Sequence, residues 1–88
     1  MRLLFTKSAA RDFEHWKRKD ARIYRRILKL LEAIEDDPFA GVGKPEPLKG
    51  DLSGWWSRRI SGEHRLVYRV TGGKGGKALE ILSCRYQY

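Results

Sequence analysis

Apolar and polar positions follow two different periods in the two halves of this chain. Arg2-Leu3-Leu4-Phe5-Thr6 is short, bulky and mostly apolar, which predicts a strand. The period then lengthens. Ala9, Phe13 and Trp16 recur at helical spacing with charged residues between them, and either Ser8 or Thr6 suits the N-cap. Lys19-Asp20 interrupts the pattern, and Asp20 suits the start of a second helix. That helix buries Ile23, Ile27, Leu30, Leu31 and Ile34, helped by Tyr24 and Leu28, and leaves Arg18, Arg22, Arg25, Arg26 and Lys29 toward water. Asp36-Asp37-Pro38 stops it, because proline restricts the residue before it and donates no N–H. The stretch from Pro38 to Pro47 reads as an ordered loop. Beyond it the period shortens to two: Trp55 to Ile60, a turn at Ser61-Gly62-Glu63, Arg65 to Val70, a glycine-rich tip at residues 71–76, and a third long strand from Ala78 to Tyr86. Trp56, Arg58 and Ile60 share one strand face and Trp55, Ser57 and Arg59 the other. Leu66, Tyr68 and Val70 likewise oppose Arg65, Val67 and Arg69. Strand, helix, helix and then strands predict a two-layer α+β fold, with an N-terminal strand and a helical hairpin on a mainly antiparallel twisted sheet. The sheet's second face is left partly open to solvent or ligand.

Charge narrows the partners. Across 88 residues there are 19 Lys+Arg against 11 Asp+Glu, a net charge of +8 with a pI near 10.0. Residues 1–44 hold 11 basic and 7 acidic groups and residues 45–88 hold 8 and 4, so the positive field belongs to the whole body and not to a tail. Such a field attracts polyanions, RNA and DNA foremost, and acidic proteins or membrane surfaces after them. No apolar run approaches the roughly 20 residues of a membrane span. Met1 to Phe5 turns polar at once in Thr6-Lys7-Ser8, unlike a secretory signal. One cysteine, Cys84, precludes an internal disulfide framework and fits a reducing, cytoplasmic setting. No repeat or internal boundary appears, so residues 1–88 are expected to form one domain.

Several familiar chemistries do not fit. Two histidines and one cysteine lie far apart, and no acidic cluster has metal-ligand spacing. The glycines at 72, 73, 75 and 76 lack the strand-to-helix context of a phosphate loop. Cys84 reads as a core thiol and Tyr86 as a core phenol. The polar groups that remain gather in the second half: Lys44, Glu46, Lys49, Arg58, Arg59, His64, Arg65, Arg85, Gln87 and Tyr88. Arginines on adjacent strands beside a single carboxylate suit one phosphate, which the planar guanidinium fork matches. RNA offers a route that needs no metal or other cofactor, since its 2′-OH is a nucleophile within the substrate. Glu46, between Lys44 and Lys49, is the candidate base. Arg59 and Arg65 are candidates to hold the charge of the transition state, Tyr88 to stack on a base or donate a proton, and Trp55 and Trp56 to offer a stacking platform.

Taken in order, several segments resemble one family. They are Pro38-Phe39, Gly43-Lys44-Pro45-Glu46-Pro47-Leu48-Lys49, Leu52-Ser53-Gly54, Trp56-Ser57-Arg58-Arg59-Ile60, Glu63-His64-Arg65-Leu66-Val67-Tyr68, Cys84-Arg85-Tyr86 and Tyr88. Together they are similar to the YoeB toxins, within the RelE-type toxins of bacterial toxin–antitoxin systems. The resemblance implies a microbial-ribonuclease-like α+β fold. It also implies a metal-independent endonuclease that cuts mRNA in the A site of the 70S ribosome, with contacts to 16S rRNA, and so inhibits translation. By the same resemblance Glu46 is the catalytic carboxylate, Lys49, Arg59 and Arg65 handle phosphate, and Tyr88 is the terminal catalytic tyrosine. The implied partners are an antitoxin of the YefM type and a second toxin copy.

One position departs from the pattern. Gln87 stands where members carry histidine, and an amide hydrogen-bonds but does not exchange protons near neutral pH. Three outcomes stay open. Gln87 orients phosphate or base in an active enzyme; Tyr88, Lys49 or the ribosome supplies the proton; or the chain is a weak or non-cleaving translation inhibitor that occupies the ribosome. A DNA-binding regulator is a further alternative, without a helix-turn-helix pattern to support it.

Overall fold

Two side chains set where the helices begin. In a computed structural model describing residues 1–72 and 76–86, the first strand, β1 (Arg2–Phe5), leads into α1 (Lys7–Lys19). Thr6 is the N-cap: its Oγ1 accepts from the Ala9 N–H at 3.0 Å and donates to the Leu82 carbonyl at 2.8 Å, tying the helix start to the sheet. Asp20 ends α1 and starts α2 (Ala21–Asp36). Its backbone N–H donates to the Trp16 carbonyl, and its Oδ1 accepts from the N–H groups of Arg22 and Ile23.

The remaining elements are β2 (Glu46–Pro47), a 3-10 turn (Gly50–Leu52), β3 (Trp56–Arg59), β4 (Arg65–Thr71) and β5 (Ala78–Ser83). They form one mixed sheet in the order β1-β5-β4-β3-β2, with β1 parallel to β5 and the other pairs antiparallel. The expected two-layer α+β fold is therefore present. Ala9 and Trp16 of α1 and Ile27, Leu30, Leu31 and Ile34 of α2 pack against Ile60, Leu66, Tyr68, Leu79 and Ile81. That set is the helix-facing half of the alternation, and its burial drives the layers together. Leu28 departs from expectation at 40% exposed, because it lies past the edge of the stripe marked by Ile27, Leu30, Leu31 and Ile34.

The final strand is shorter than its apolar run predicts. It stops at Ser83 because α1 takes over the backbone bonds of the next residue. The Cys84 N–H donates to Asp12 Oδ2 at 3.0 Å, and its carbonyl accepts from Trp16 Nε1 at 2.8 Å. Tyr86 then turns to φ 61 and is 56% exposed, so it is not the core residue expected. Cys84 itself is fully buried, and burial, reinforced by the Asp12 carboxylate, pushes its thiol up to about 12 from 9.0. Between those two values the unfolded chain has released this proton and the folded chain keeps it, so stability falls as pH rises. Urea titrations from pH 9 upward are expected to show this. Cys84→Ala is expected to remove up to about 1.4 kcal/mol per pH unit of that slope. An unaltered slope would place the titrating group elsewhere.

Candidate active site

On the face away from the helices, strand register assembles the candidate residues. Glu46 of β2 lies opposite Ser57 of β3, which lies opposite Val67 of β4. One step along β3 on the same face is Arg59, opposite Arg65. Opposed residues share a face, so Glu46 sits diagonally from Arg59, about 7–8 Å between backbones, and the two arginines face each other at about 5 Å between Cβ atoms. Glu46 and Arg59 are exposed and Arg65 is half-buried. Like charges placed directly opposite each other repel, and neither arginine has a carboxylate partner among the described residues, where the one ion pair is Arg69–Glu80. Arg65 Nη1 is sequestered from solvent with no hydrogen-bond partner, as is Ser57 Oγ. An anion between the guanidiniums would relieve the repulsion and satisfy those donors.

Glu46 is carried to this place by a buried arginine on the other face of the same strand. Arg58 is fully buried among apolar side chains. Its Nε donates to Tyr68 Oη at 3.1 Å, its Nη1 to the Val42 carbonyl at 3.0 Å, and its Nη2 to the carbonyls of Asp37 at 2.6 Å and Ala40 at 2.9 Å. Tyr68 Oη in turn donates to the Pro38 carbonyl at 2.7 Å. Burial raises the Tyr68 phenol above its ordinary value, an effect the Arg58 hydrogen bond opposes. The loop before β2 is thus wrapped around one guanidinium. Gly43, at φ 91, lies so close that a Cβ would meet Leu30 Cδ2 at 2.9 Å and Arg58 Cβ at 3.1 Å. The Gly43 carbonyl accepts from the Arg59 N–H at 2.7 Å, and Leu48 N–H donates to Trp55 O at 2.9 Å, so the loop is stitched to β3 on both sides of Glu46. Lys44 falls between those stitches at φ 52, exposed.

The other candidates divide. Lys49 is exposed at the N-cap of the 3-10 turn and lines a shallow groove with Glu46, Pro47 and Leu48. Trp55 is half-buried, with Arg69 Cζ 4.4 Å above its ring, so one stacking surface is already covered. Trp56 leaves the candidate platform: it packs toward the core and meets the Phe39 ring at 4.9 Å. Arg58 is likewise removed from the phosphate-facing set. His64 is structural in its contacts, since its Nδ1 accepts from the Tyr86 N–H at 2.7 Å and its ring meets Trp16 edge-on at 4.6 Å. Gln87 and Tyr88 lie outside the described residues. The sequence signal for the Arg58 clamp was a charge on the apolar face of a strand, between Trp56 and Ile60.

Comparison with known proteins bears on this arrangement as a whole. Residues 5–88 match the family model described as YoeB-like toxin of bacterial type II toxin-antitoxin system. Toxin YoeB of Streptomyces coelicolor is 51% identical over 88 residues, covering all of both chains. Among solved structures, the YoeB/ParE toxin from Agrobacterium tumefaciens is 52% identical with a TM-score of 0.95, again over all of both chains. The Staphylococcus aureus YoeB, 37% identical, matches both as a dimer, at a TM-score of 0.89, and in its heterotetrameric complex with YefM, at 0.87; each covers 100% of this chain and 98% of the other. A match that spans both the loop carrying Glu46 and the strands carrying Arg59 and Arg65 is one of family, not of fold alone, and the chain belongs to the YoeB-like toxins of bacterial type II toxin–antitoxin systems.

Proposed function

We propose that this toxin is an endoribonuclease that cuts mRNA in the ribosomal A site of the bacterial cytoplasm. The observation that carries the reading is the register that sets Glu46 beside the opposed Arg59–Arg65 pair on the helix-free face. In this reaction Glu46 takes the proton from a ribose 2′-OH, and the oxygen attacks the adjacent phosphorus. The bond to the 5′-oxygen breaks as that oxygen gains a proton, leaving a 2′,3′-cyclic phosphate and a 5′-hydroxyl. Arg59 and Arg65 hold the negative charge that builds on the phosphate oxygens, and Lys49 adds a cation beside the groove at Glu46. Tyr88 and Gln87, which follow the anchored Tyr86, are the proposed groups at the leaving oxygen. A metal ion is not needed by this scheme. The A site supplies the aligned substrate, with 16S rRNA as a further contact for the basic body. The S. aureus structures support a YefM-type antitoxin as the inhibiting partner and a toxin homodimer as one of its states.

Primer-extension mapping on programmed 70S ribosomes tests this. The parent is expected to produce new RNA ends at the A-site codon, and Glu46→Gln to lose them by about 100-fold or more. The substitution at residue 87 favours a second reading, a toxin that arrests translation by occupancy alone. Gln87→His decides its weight: a gain in cleavage means that proton delivery limits the parent, and arrest without new ends in all three proteins overturns the nuclease.

A further inference from the structure

α2 carries its charges against its own dipole. Arg22, Arg25, Arg26 and Lys29 occupy the N-terminal half, where the helix end is already positive, and Glu32, Glu35 and Asp36 lie toward the negative end. Its first turn holds no acid and its last turn no base. The four cations also form like-charge pairs at i,i+3 and i,i+4, which destabilise a helix by a few tenths of a kcal/mol each. No carboxylate offsets them: Asp20 Oδ1 is engaged at the N-cap, and the one ion pair among the described residues is elsewhere. A local arrangement that opposes its own fold points to an external ligand.

The surface is shaped as well as charged. Arg22, Arg25, Arg26 and Lys29 line one shallow recess by themselves. Arg22 and Arg26 continue into a second, and Arg26 into a third that it shares with Arg59 and Arg65. Arg26 Nη2 donates to the Arg59 carbonyl at 3.2 Å, joining helix to sheet. The seven residues from Arg22 to Lys29 span about 10 Å of helix axis. The cationic track therefore runs from the outer face of α2 to the candidate active site.

We propose that this track binds the phosphate backbone of double-helical RNA. Guanidinium forks fit phosphate oxygens. The first recess has no aromatic wall on which a single strand would stack its bases, and no apolar pocket to anchor a peptide. Duplex RNA is recognised instead through its backbone and shape. The track does not depend on the cleavage reading, because Arg22, Arg25 and Lys29 take no part in it.

The test is fluorescence anisotropy of the full chain with a 2′-O-methylated RNA duplex of about 16–20 base pairs, a single strand of the same sequence, and an acidic peptide, over a salt series. Combining Arg22→Gln, Arg25→Gln and Lys29→Gln is expected to weaken duplex binding at least tenfold. It should also flatten the plot of log K against log salt by about 2–3, near 0.9 per lost phosphate contact. Single Arg25→Gln and Lys29→Gln variants should each take about 0.9 from that slope. The melting temperature of the triple variant is expected to rise, since repulsion is removed. Glu46→Gln should keep the parent's duplex slope even where it abolishes cleavage. An unchanged duplex slope in the triple variant overturns the proposal. So does an equal loss on the single strand, or loss of peptide binding with the duplex unaffected, which would make the track a protein-docking surface.

Discussion

Arg58→Ala is expected to destabilise the fold by about 3–5 kcal/mol, the cost of dismantling a buried charged hydrogen-bond network. The size follows from what the guanidinium holds. Three backbone carbonyls, of Asp37, Ala40 and Val42, and one phenol lose their donor together, in a site closed to water. Asp37 is also the C-cap of α2, whose last turn contains no cation, so β3 supplies the positive charge that this end of the helix lacks. For a domain of this size the loss corresponds to a melting temperature lower by roughly 15–30 °C. Arg58→Lys is expected to recover part of it, because an ammonium has three donors but not the planar fork that reaches carbonyls on separate turns. Tyr68→Phe removes only the link to the Pro38 carbonyl and the acceptor for Arg58 Nε, and is expected to cost about 1–3 kcal/mol. The two residues share one network, so the double variant should lose less than the sum of the singles. Urea unfolding of the four proteins measures this, and additive losses would mean that the loop is held by something else.

That clamp also marks how far the sequence was legible. Helices and strands were readable because each buries one face, and burial imposes a period of 3.6 or 2 on Ile27-Leu30-Leu31-Ile34 and on Leu66-Tyr68-Val70. The same alternation placed Arg59 and Arg65 on the outer face. It could not seat Glu46. A strand of two residues has no period, and Pro47, which cannot donate to a ladder, is admissible only because β2 is an edge. The early end of β5 was hidden for a related reason. Its apolar run continues, but Asp12 and Trp16, about 70 residues upstream, claim the backbone of Cys84. Residue types for a phosphate site were visible in the chain; the tie between loop and sheet that unites them came from a buried charge whose partners are backbone atoms, which no side-chain pattern records.

Arg59 and Arg65 face each other across one strand pair, yet their removal is expected to act on different steps. Arg65 is half-buried, its Nη1 is closed off from solvent without a partner, and its backbone N–H is fixed to the Tyr86 carbonyl at 3.2 Å. A donor held in a poorly hydrated place meets growing charge strongly and needs little reorganisation to do so. Arg65→Ala should therefore lower kcat for ribosomal cleavage by about 100–1000-fold, with little change in KM. Arg59 is exposed, so its attraction for phosphate is already felt in the bound substrate and is screened by salt. Arg59→Ala should mainly raise KM, and its deficit relative to the parent should shrink as ionic strength rises, while that of Arg65→Ala persists. Single-turnover cleavage at two salt concentrations separates the cases. Equal kcat losses would make the pair one catalytic unit, and a deficit in Arg65→Ala that salt erases would show that its burial gives it no advantage over its exposed neighbour.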